Sequence, residues 1–259
     1  MTNQPPIYLA EFSTHHLTTY LRNEDAPVVL WPVGSTEPHG PHLPLATDII
    51  LSEENAVRAA EGLRQEGIGA VVAPNLPYGV TDFAEGFAGA ISIPEDTLVA
   101  FIVAGCGQFL SDGFAHVCLI NHHLEPGQLS ALQRAHDEVE RLHGEGSISL
   151  PKVVSRRWGR SLGAEFMSGA CHAGEYEGSL ILAARPDLFN HDAVNDLPEV
   201  PISLSQAINA GQTTFLAAGA SAAYTGSPKT ASKAEGERLY AAHQFMVTTE
   251  VKEHLEKMS

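Results

Sequence analysis

The sequence predicts an α/β protein: a single layered α/β/α domain over residues 1–259, built around a mostly parallel central sheet. Short apolar runs alternate with longer segments that carry apolar residues at helical spacing, as in strands joined by crossover helices. The apolar runs are continuous, which is typical of strands covered by helices on both faces. No internal repeat or low-complexity linker divides the chain.

The first predicted element is a buried strand over residues 26–34, which read APVVLWPVG. Pro32 should weaken its pairing, because proline has no N–H group for a sheet hydrogen bond. A helix follows over residues 48–67 and ends at a glycine, and the second strand spans residues 70–75. The later elements are predicted at these positions: helix 92–113, strand 115–121, helix 125–146, strand 151–158, a helix within 172–189 and a terminal helix within 230–258.

Residues 186–230 carry few periodic runs and several Pro, Gly and Ser residues. This pattern predicts an extended arm or a contact between subunits, without a core of its own. Histidines on the predicted helices or their flanks are expected to face solvent: His15, His16, His136, His143, His243 and His254.

Composition narrows the possible partners. The formal charge is −16, from 15 basic and 31 acidic residues. This charge argues against nucleic acids and anionic membranes as partners, because both bind proteins through a basic patch. Three cysteines are too few and too scattered for a disulfide framework. No signal-peptide pattern opens the chain, and no apolar run approaches the ~18 residues of a membrane span. We expect a cytoplasmic protein that acts on a small molecule.

The most informative segment follows the first strand and reads PVGSTEPHGPHLPLATD, residues 32–48. Glu37 and His39 are two residues apart, so an extended chain places both on one face. Asp48 comes nine residues later, where a helix begins. Taken alone, Asp48 is an N-cap for a helix starting at Ile49, and His42 is a solvated loop residue.

A second cluster, INHHLEPG, follows the third strand and repeats the two-residue spacing with His123 and Glu125. Ligands of open α/β sheets bind beyond the carboxyl ends of the strands, so both clusters should meet at one edge. Together they offer three carboxylates and two imidazoles, a donor set that suits zinc or manganese. Five groups suit two ions about 3.5–4 Å apart, with Asp48 as the natural bridge.

The first segment resembles the signature of the creatininase family, the creatinine amidohydrolases and their relatives. The resemblance extends in the same order through VCLINHHLEPG, HAGEYEGSLILAARPDLF and KTASKAEGERL, from about Val28 to Leu239. It implies a creatininase-like layered fold, commonly assembled as hexamers. It also implies two divalent ions per chain, zinc and/or manganese or iron, and hydrolysis of an amide.

The resemblance assigns roles position by position. His172 matches an active-site histidine that handles protons and contacts substrate, and Glu177 matches a glutamate near the metals. By this match His172 should donate a proton to the leaving nitrogen. The residues that match metal ligands are Glu37, His39, Asp48, His123 and Glu125.

Three positions are expected to line the substrate pocket: Leu124, Trp158 and Ser168. Leu124 and Ser168 stand where creatininase has aromatic rings, whereas Trp158 matches a pocket tryptophan. Creatinine is therefore not the expected substrate. The leading hypothesis is hydrolysis of a non-peptide C–N bond in a small amide, lactam or formamide. The alternatives are trimming of a small peptide precursor and a non-catalytic metal-binding assembly protein.

Overall fold

A computed structural model describes residues 5–258 of the chain. Within these residues a parallel four-stranded sheet forms the centre of the fold, with strand order β2-β1-β3-β4. The strands are β1 (Val28–Val33), β2 (Ala70–Val72), β3 (His116–Asn121) and β4 (Ile148–Ser149). The predicted α/β class with a parallel central sheet is confirmed.

The predicted fourth strand at residues 151–158 is wrong. The chain pairs with β3 only at Ile148 and Ser149, and residues 153–158 form turns and a bend. Pro151 has no N–H group with which to continue the ladder. Further on, Arg157 forms an ion pair with Glu253 at 2.6 Å, which fastens this segment to the C-terminal part of the chain instead.

Pro32 weakens the sheet on one side only. β1 pairs with β3 along its whole length, including Pro32 opposite Ile120, whereas its pairing with β2 ends at Leu30 opposite Val72. The carbonyl oxygen of Pro32 accepts a hydrogen bond from the Leu76 N–H on the β2 side. Backbone N–H and C=O groups of one residue face the same parallel neighbour, so the missing donor faces the side where β2 has ended.

Helices cover both faces of this sheet. The α-helices of the described residues are α1 (Thr14–Asn23), α2 (Thr47–Gln65), α3 (Glu95–Asp112), α4 (Pro126–His143), α5 (Ala164–Ser168), α6 (Glu175–Ala184), α7 (His191–Asp196), α8 (Leu204–Asn209) and α9 (Lys233–Met258). Single 3₁₀ turns lie at Leu9–Glu11, Asp82–Ala84, Gly159–Ser161, Pro186–Leu188 and Pro228–Thr230. None of the helices in residues 5–258 is long and apolar enough to cross a membrane.

Side chains of β1 alternate between two apolar cores. Val28 and Leu30 belong to the core formed with α2, α6 and α9, whereas Val29 and Trp31 belong to the core formed with α1, α3 and α4. All these strand residues are buried, which explains the continuous apolar pattern of the sequence. The layers leave the carboxyl ends of β1 and β3 adjacent, at the edge where such sheets bind ligands.

A glycine sets the distance between α6 and α9. A Cβ atom at Gly236 would lie 1.9 Å from the carbonyl oxygen of Ser179, far inside van der Waals contact. Only glycine therefore lets the backbones of the two helices meet this closely. Because α6 carries Glu177, this contact also fixes how deep that carboxylate sits.

Residues 186–230 have a core, contrary to the prediction. Phe215, Leu204, Ala220 and Ala223 pack with Phe83 and Ala84 in a third apolar cluster. The segment thus folds back onto its own chain, next to the carboxyl edge of the sheet. Whether it also contacts another subunit stays a prediction.

Two histidines that were expected to be solvated are buried. His42 is 1% exposed and lies edge-on to the rings of Phe189 and Tyr224. His243 is fully buried, and its Nε2 forms a 2.8 Å hydrogen bond with the hydroxyl of Tyr176. His15, His16 and His143 are exposed as predicted, and His136 and His254 are half-buried.

Candidate metal centre

Two loops and two helices bring the predicted polar residues together. Glu37 and His39 lie in the loop after β1, and Asp48 lies in the first turn of α2. The N-cap of α2 is Ala46, so the expected capping role of Asp48 is wrong. Its side chain turns toward the carboxyl edge of the sheet, where Gly34 allows the close approach: a Cβ atom there would lie 3.1 Å from the Cβ of Asp48.

Asp48 lies between two histidines. Its Oδ1 is 3.2 Å from Nε2 of His39, and its Oδ2 is 3.0 Å from Nδ1 of His123. Glu177 Oε2 is 3.4 Å from the same nitrogen of His39, and Glu37 Oε1 is 3.1 Å from the same nitrogen of His123. The five side chains therefore form two groups of candidate ligands that share Asp48.

Backbone carbonyls orient both imidazoles. His39 Nδ1–H donates to the carbonyl oxygen of Glu37 at 3.1 Å, and His123 Nε2–H donates to that of Val80 at 2.6 Å. In each neutral ring the other nitrogen then keeps its lone pair and faces the carboxylates. This is the arrangement in which histidines bind metals.

The cluster is buried and combines three carboxylates with two imidazoles. Glu37, Asp48 and Glu177 are at most 3% exposed, and no Lys or Arg is among the described residues that line the site. Burial alone would lower the pKa of His39, but Asp48, Glu177 and Glu37 raise it to about 10. Burial raises the pKa of Glu177 to about 8, despite the neighbouring His39. Three carboxylates therefore lie within contact of only two imidazoles that can carry a positive charge.

The donor set fits divalent metal ions. Among the described residues, His39 Nε2 and Asp48 Oδ2 are buried without a hydrogen-bond partner, although each lies close to oppositely polarised atoms. Buried polar groups are normally satisfied, so orphans in a cluster of nitrogen and carboxylate donors indicate a missing ligand. Imidazole and carboxylate groups of this kind suit zinc or manganese.

His172 lies beside the cluster. Its Nε2–H donates to the carbonyl oxygen of Pro38 at 2.9 Å, and its Nδ1 is 3.8 Å from Oε1 of Glu37. The ring is held between those of His39 and Phe215, with centroid distances of 4.3 and 4.4 Å. Burial, together with the adjacent His39, lowers the pKa of His172 to about 4, so the imidazole is neutral near pH 7.

Glu125 lies outside both ligand groups. Its carboxylate accepts hydrogen bonds from the backbone N–H groups of Asp82 and Phe83, at 2.9 and 3.1 Å. Its nearest approach to the histidine of the cluster is 3.9 Å, to Nε2 of His123, which already donates to a carbonyl. Burial raises the pKa of Glu125 to about 7. Glu125 was predicted to be a metal ligand, but in this geometry Glu177 is the carboxylate that lies beside His39.

A cavity of about 130 Å³ opens above the cluster. Leu124 lines it as predicted, but Trp158 and Ser168 do not. The indole N–H of Trp158 donates to Glu250 on α9 at 2.7 Å, and the Arg157 guanidinium covers its ring. Ser168 is exposed at the end of α5, where its hydroxyl donates to the carbonyl oxygen of Glu165.

Sequence reasoning missed the apolar wall of this cavity. The wall comes from three separate segments, namely the turn after β2, the turn after β4 and the segment 186–230; its members are Phe83, Val154, Leu204, Ile208 and Phe215. None of them stands in a spacing pattern, because loop packing and not periodicity brings them together. Phe83 and Phe215, far apart in the sequence, meet there with ring centroids 5.0 Å apart.

Comparison with known proteins agrees with this architecture. Residues 10–247 match the family described as "Creatininase: Creatinine amidohydrolase". The chain is 33% identical to a mycofactocin precursor peptide peptidase of Mycolicibacterium smegmatis over 219 residues, which is 83% of this chain and 80% of that protein. It is 28% identical to a creatinine amidohydrolase of Pseudomonas putida over 186 residues, 66% of this chain and 69% of that one.

A solved structure described as "Creatininase Mn" superimposes with a TM-score of 0.74 at 21% identity. The superposition covers 96% of this chain and 98% of the other, so the predicted creatininase-like fold is confirmed. The fold, the ordered sequence segments and the family match lead to one assignment: the chain belongs to the creatininase family.

Proposed function

We propose that this protein is a two-metal amidohydrolase that cleaves an amide bond next to an apolar group, and that short peptides are better substrates than creatinine. The observation that carries the proposal is Asp48, whose two oxygens face two separate histidines, each with a further carboxylate. This layout fits two divalent ions bridged by one carboxylate. Zinc and manganese are the first candidates, and iron is the next.

Each ion would have its own group of protein ligands, with Asp48 belonging to both groups. His39, Asp48 and Glu177 would hold one ion, and Glu37, Asp48 and His123 the other. When bound, such ions polarise a carbonyl oxygen and lower the pKa of a water molecule, which is the chemistry that amide hydrolysis requires.

His172 supplies proton transfer in this proposal. The Pro38 carbonyl fixes the Nε2–H, so the Nδ1 lone pair faces the cluster and can accept a proton from the attacking water. The same nitrogen can then give that proton to the leaving nitrogen of the amide. Stacking between His39 and Phe215 holds the ring in the required plane.

The cavity selects the substrate. Its apolar wall offers a hydrocarbon side chain a place to bury, and the wall also excludes water from the reacting atoms. Trp158 and Ser168 lie outside the cavity, and none of the described residues that line it carries an indole to cover the flat ring of creatinine. The relative from Mycolicibacterium smegmatis is named as a precursor peptide peptidase, which favours a peptide.

A small non-peptide amide is the second candidate. The size of the cavity supports it, since about 130 Å³ accepts one side chain or one small ring but not a folded peptide. A peptide would have to leave its remaining residues outside the mouth of the cavity. The two candidate substrates therefore differ beyond the bond that is cleaved: a peptide has further residues there, outside the cavity, and a small amide does not.

An assay series separates these possibilities. EDTA-treated protein is reloaded with manganese, zinc or iron(II) and tested on creatinine, on small amides and lactams, and on short peptides with aliphatic or aromatic residues. We expect turnover of apolar peptides, reduced by Phe215→Ala and unchanged by Leu142→Ala, a control on a 50% exposed side chain of α4. Turnover of lactams alone would select the second candidate. A metal-loaded protein inert on every amide would reverse the proposal in favour of a non-catalytic role.

We also propose that the chain forms a homo-oligomer, with a hexamer expected from the family. Large side chains such as Phe101, Met167 and Phe245 are more than half exposed on the described chain, which supports a further contact surface. Light scattering at micromolar concentration tests this, and a stable monomer would contradict it.

A further inference from the structure

A second cluster of metal-ligating side chains lies far from the cavity. His136 and Glu140 are four residues apart on α4 and so share one face of the helix. His254 reaches the same place from α9, and one ligand atom of each residue lies within 4.8 Å of those of the other two. All three are half-buried, so an ion can reach them from solvent without opening the fold.

The position of this cluster separates it from the buried one. The ring of His254 lies 5.6 Å from that of His116, the first residue of β3. The proposed metal ligand His123 follows the opposite end of the same strand. Six strand residues at about 3.3 Å each place the two clusters at opposite edges of the sheet.

The imidazoles are arranged for metal binding. His254 Nδ1–H donates to the carbonyl oxygen of Glu250 at 2.8 Å, which leaves the lone pair of Nε2 free. His136 Nδ1 lies 3.1 Å from Oδ1 of Asp137 and 4.0 Å from Oε2 of Glu140, so anionic oxygens already surround this nitrogen. Metal-bound histidines have such carbonyl or carboxylate partners.

Neighbouring basic groups are already paired. Lys257 lies 3.8 Å from a carboxylate oxygen of Glu145, and Arg141 forms two 2.7 Å hydrogen bonds with Glu138. Their charges are therefore compensated, and the carboxylates of Glu140 and Asp137 remain to attract a cation.

We propose that His136, Glu140 and His254 bind a first-row transition-metal ion of the zinc type and thereby tie α9 to α4. Two imidazoles and one carboxylate suit zinc, nickel or copper, whereas magnesium and calcium require oxygen ligands. Three protein ligands leave a coordination position for water. The ion would hold the C-terminal half of α9, so it stabilises the folded chain by an amount that grows with the logarithm of the free zinc concentration above the Kd.

Zinc binding to the full chain tests this site separately from the buried cluster. The EDTA-treated protein is titrated with zinc sulfate by calorimetry in two backgrounds, wild type and Asp48→Asn, with magnesium chloride as the negative probe. In both backgrounds we expect a zinc site that His136→Gln, Glu140→Gln and His254→Gln each weaken at least about tenfold, since even partners of a ligand contribute that much to affinity. The control is His143→Gln, an exposed histidine at the end of α4.

A thermal unfolding series supplies the second measurement. Zinc should raise the Tm of the Asp48→Asn protein and of its His143→Gln variant, and should not raise the Tm of its His254→Gln variant. Circular dichroism without metal checks that each variant is folded. Glu140→Gln stands in for either histidine variant that is not, because it is half-buried and its amide oxygen can still accept from the Gly146 N–H. Equal zinc affinity and equal thermal shifts in the control and the three ligand variants would overturn the proposal.

Discussion

His172 and Pro38 are joined by a 2.9 Å hydrogen bond from the imidazole Nε2–H to the carbonyl oxygen. The bond fixes one tautomer and leaves Nδ1 facing the candidate metal centre, 3.8 Å from Glu37. A proton carrier next to the reacting atoms has to present a defined lone pair, and this backbone contact provides it.

Replacing His172 with Gln should lower kcat by roughly 10²–10⁴-fold, the usual contribution of a positioned acid–base group. The metal content should be unchanged, because His172 is outside both proposed ligand groups that share Asp48. Steady-state kinetics on the best substrate of the assay series, with metal analysis of the same sample, checks both statements. A variant that loses its metal together with its activity would make His172 a ligand instead.

Asp48→Asn should lose both ions, since the carboxylate of Asp48 is the sole side chain of the described residues that belongs to both groups. His39→Gln should lose chiefly one ion, because His39 belongs to only one of the two groups that share Asp48. Elemental analysis after gel filtration measures the ions per chain. Full metal content in Asp48→Asn would refute its bridging role.

Glu177→Gln and Glu125→Gln form a matched pair. Glu177 lies 3.4 Å from His39 within a ligand group, whereas the Glu125 carboxylate is taken up by two backbone amides. We expect Glu177→Gln to lose one ion and Glu125→Gln to keep both. The opposite result would restore the ligand set inferred from the sequence.

His116 should make the protein less stable in acid. It is fully buried, and burial lowers its pKa to about 3, while both ring nitrogens are hydrogen-bonded, to Gly146 and Ser149. Between that pH and the ordinary histidine pKa of about 6.5, the unfolded chain binds a proton that the folded chain does not, so stability is lost as the pH falls.

His116→Gln should therefore reduce the slope of unfolding free energy against pH by about 1.4 kcal/mol per pH unit in this window. Urea titrations in EDTA between pH 4 and pH 6 measure the slope, and the exposed His143→Gln serves as control. Identical slopes in the wild type and His116→Gln would contradict the linkage, whatever the absolute stabilities.

Gly236→Ala should destabilise the fold by about 1–3 kcal/mol or more, as overpacking does, because its Cβ would collide with the Ser179 carbonyl. Gly107→Ala is the matched helical control: there the added Cβ would sit 3.4 Å from its nearest neighbour, an ordinary contact. Denaturant unfolding compares the two. If Gly236→Ala is as stable as the control, the contact between α6 and α9 is softer than this geometry implies.

The sequence predicted the parts of the fold that follow from local pattern. Continuous apolar runs identified β1, β2 and β3 because strands buried on both faces have no alternation. The two-residue strand β4 was missed because its existence depends on tertiary pairing with β3 and not on its own residues. The same limit applies to residues 186–230, whose core draws two of its six buried members, Phe83 and Ala84, from elsewhere in the chain.

The residues of the candidate site were likewise predictable only where they follow from local pattern. Glu37, His39, Asp48 and His123 could be grouped because the carboxyl ends of parallel strands meet at one edge. Spacing alone could not choose between the two remaining glutamates. Glu125 turns toward amides in the turn after β2, and Glu177 reaches the cluster only because α6 packs closely on α9.

The pocket residues were the hardest to predict, because they rested on the family resemblance and on no local pattern of the chain. Trp158 keeps its identity but turns to Glu250 on α9, and Ser168 ends a short exposed helix. Phe215 takes a place beside His172 that no sequence pattern indicated.

The dispersed origin of the cluster also governs when it can form. Glu37 leaves the ribosome long before Glu177, and the group that contains Glu177 stays incomplete until α6 has docked against α2 and α9. During synthesis, therefore, the nascent chain exposes a partial, anionic set of ligands with no closing residue. A nascent chain arrested before α6 should capture metal ions weakly and release them quickly, so tight loading is a late event that follows the arrival of the last helix.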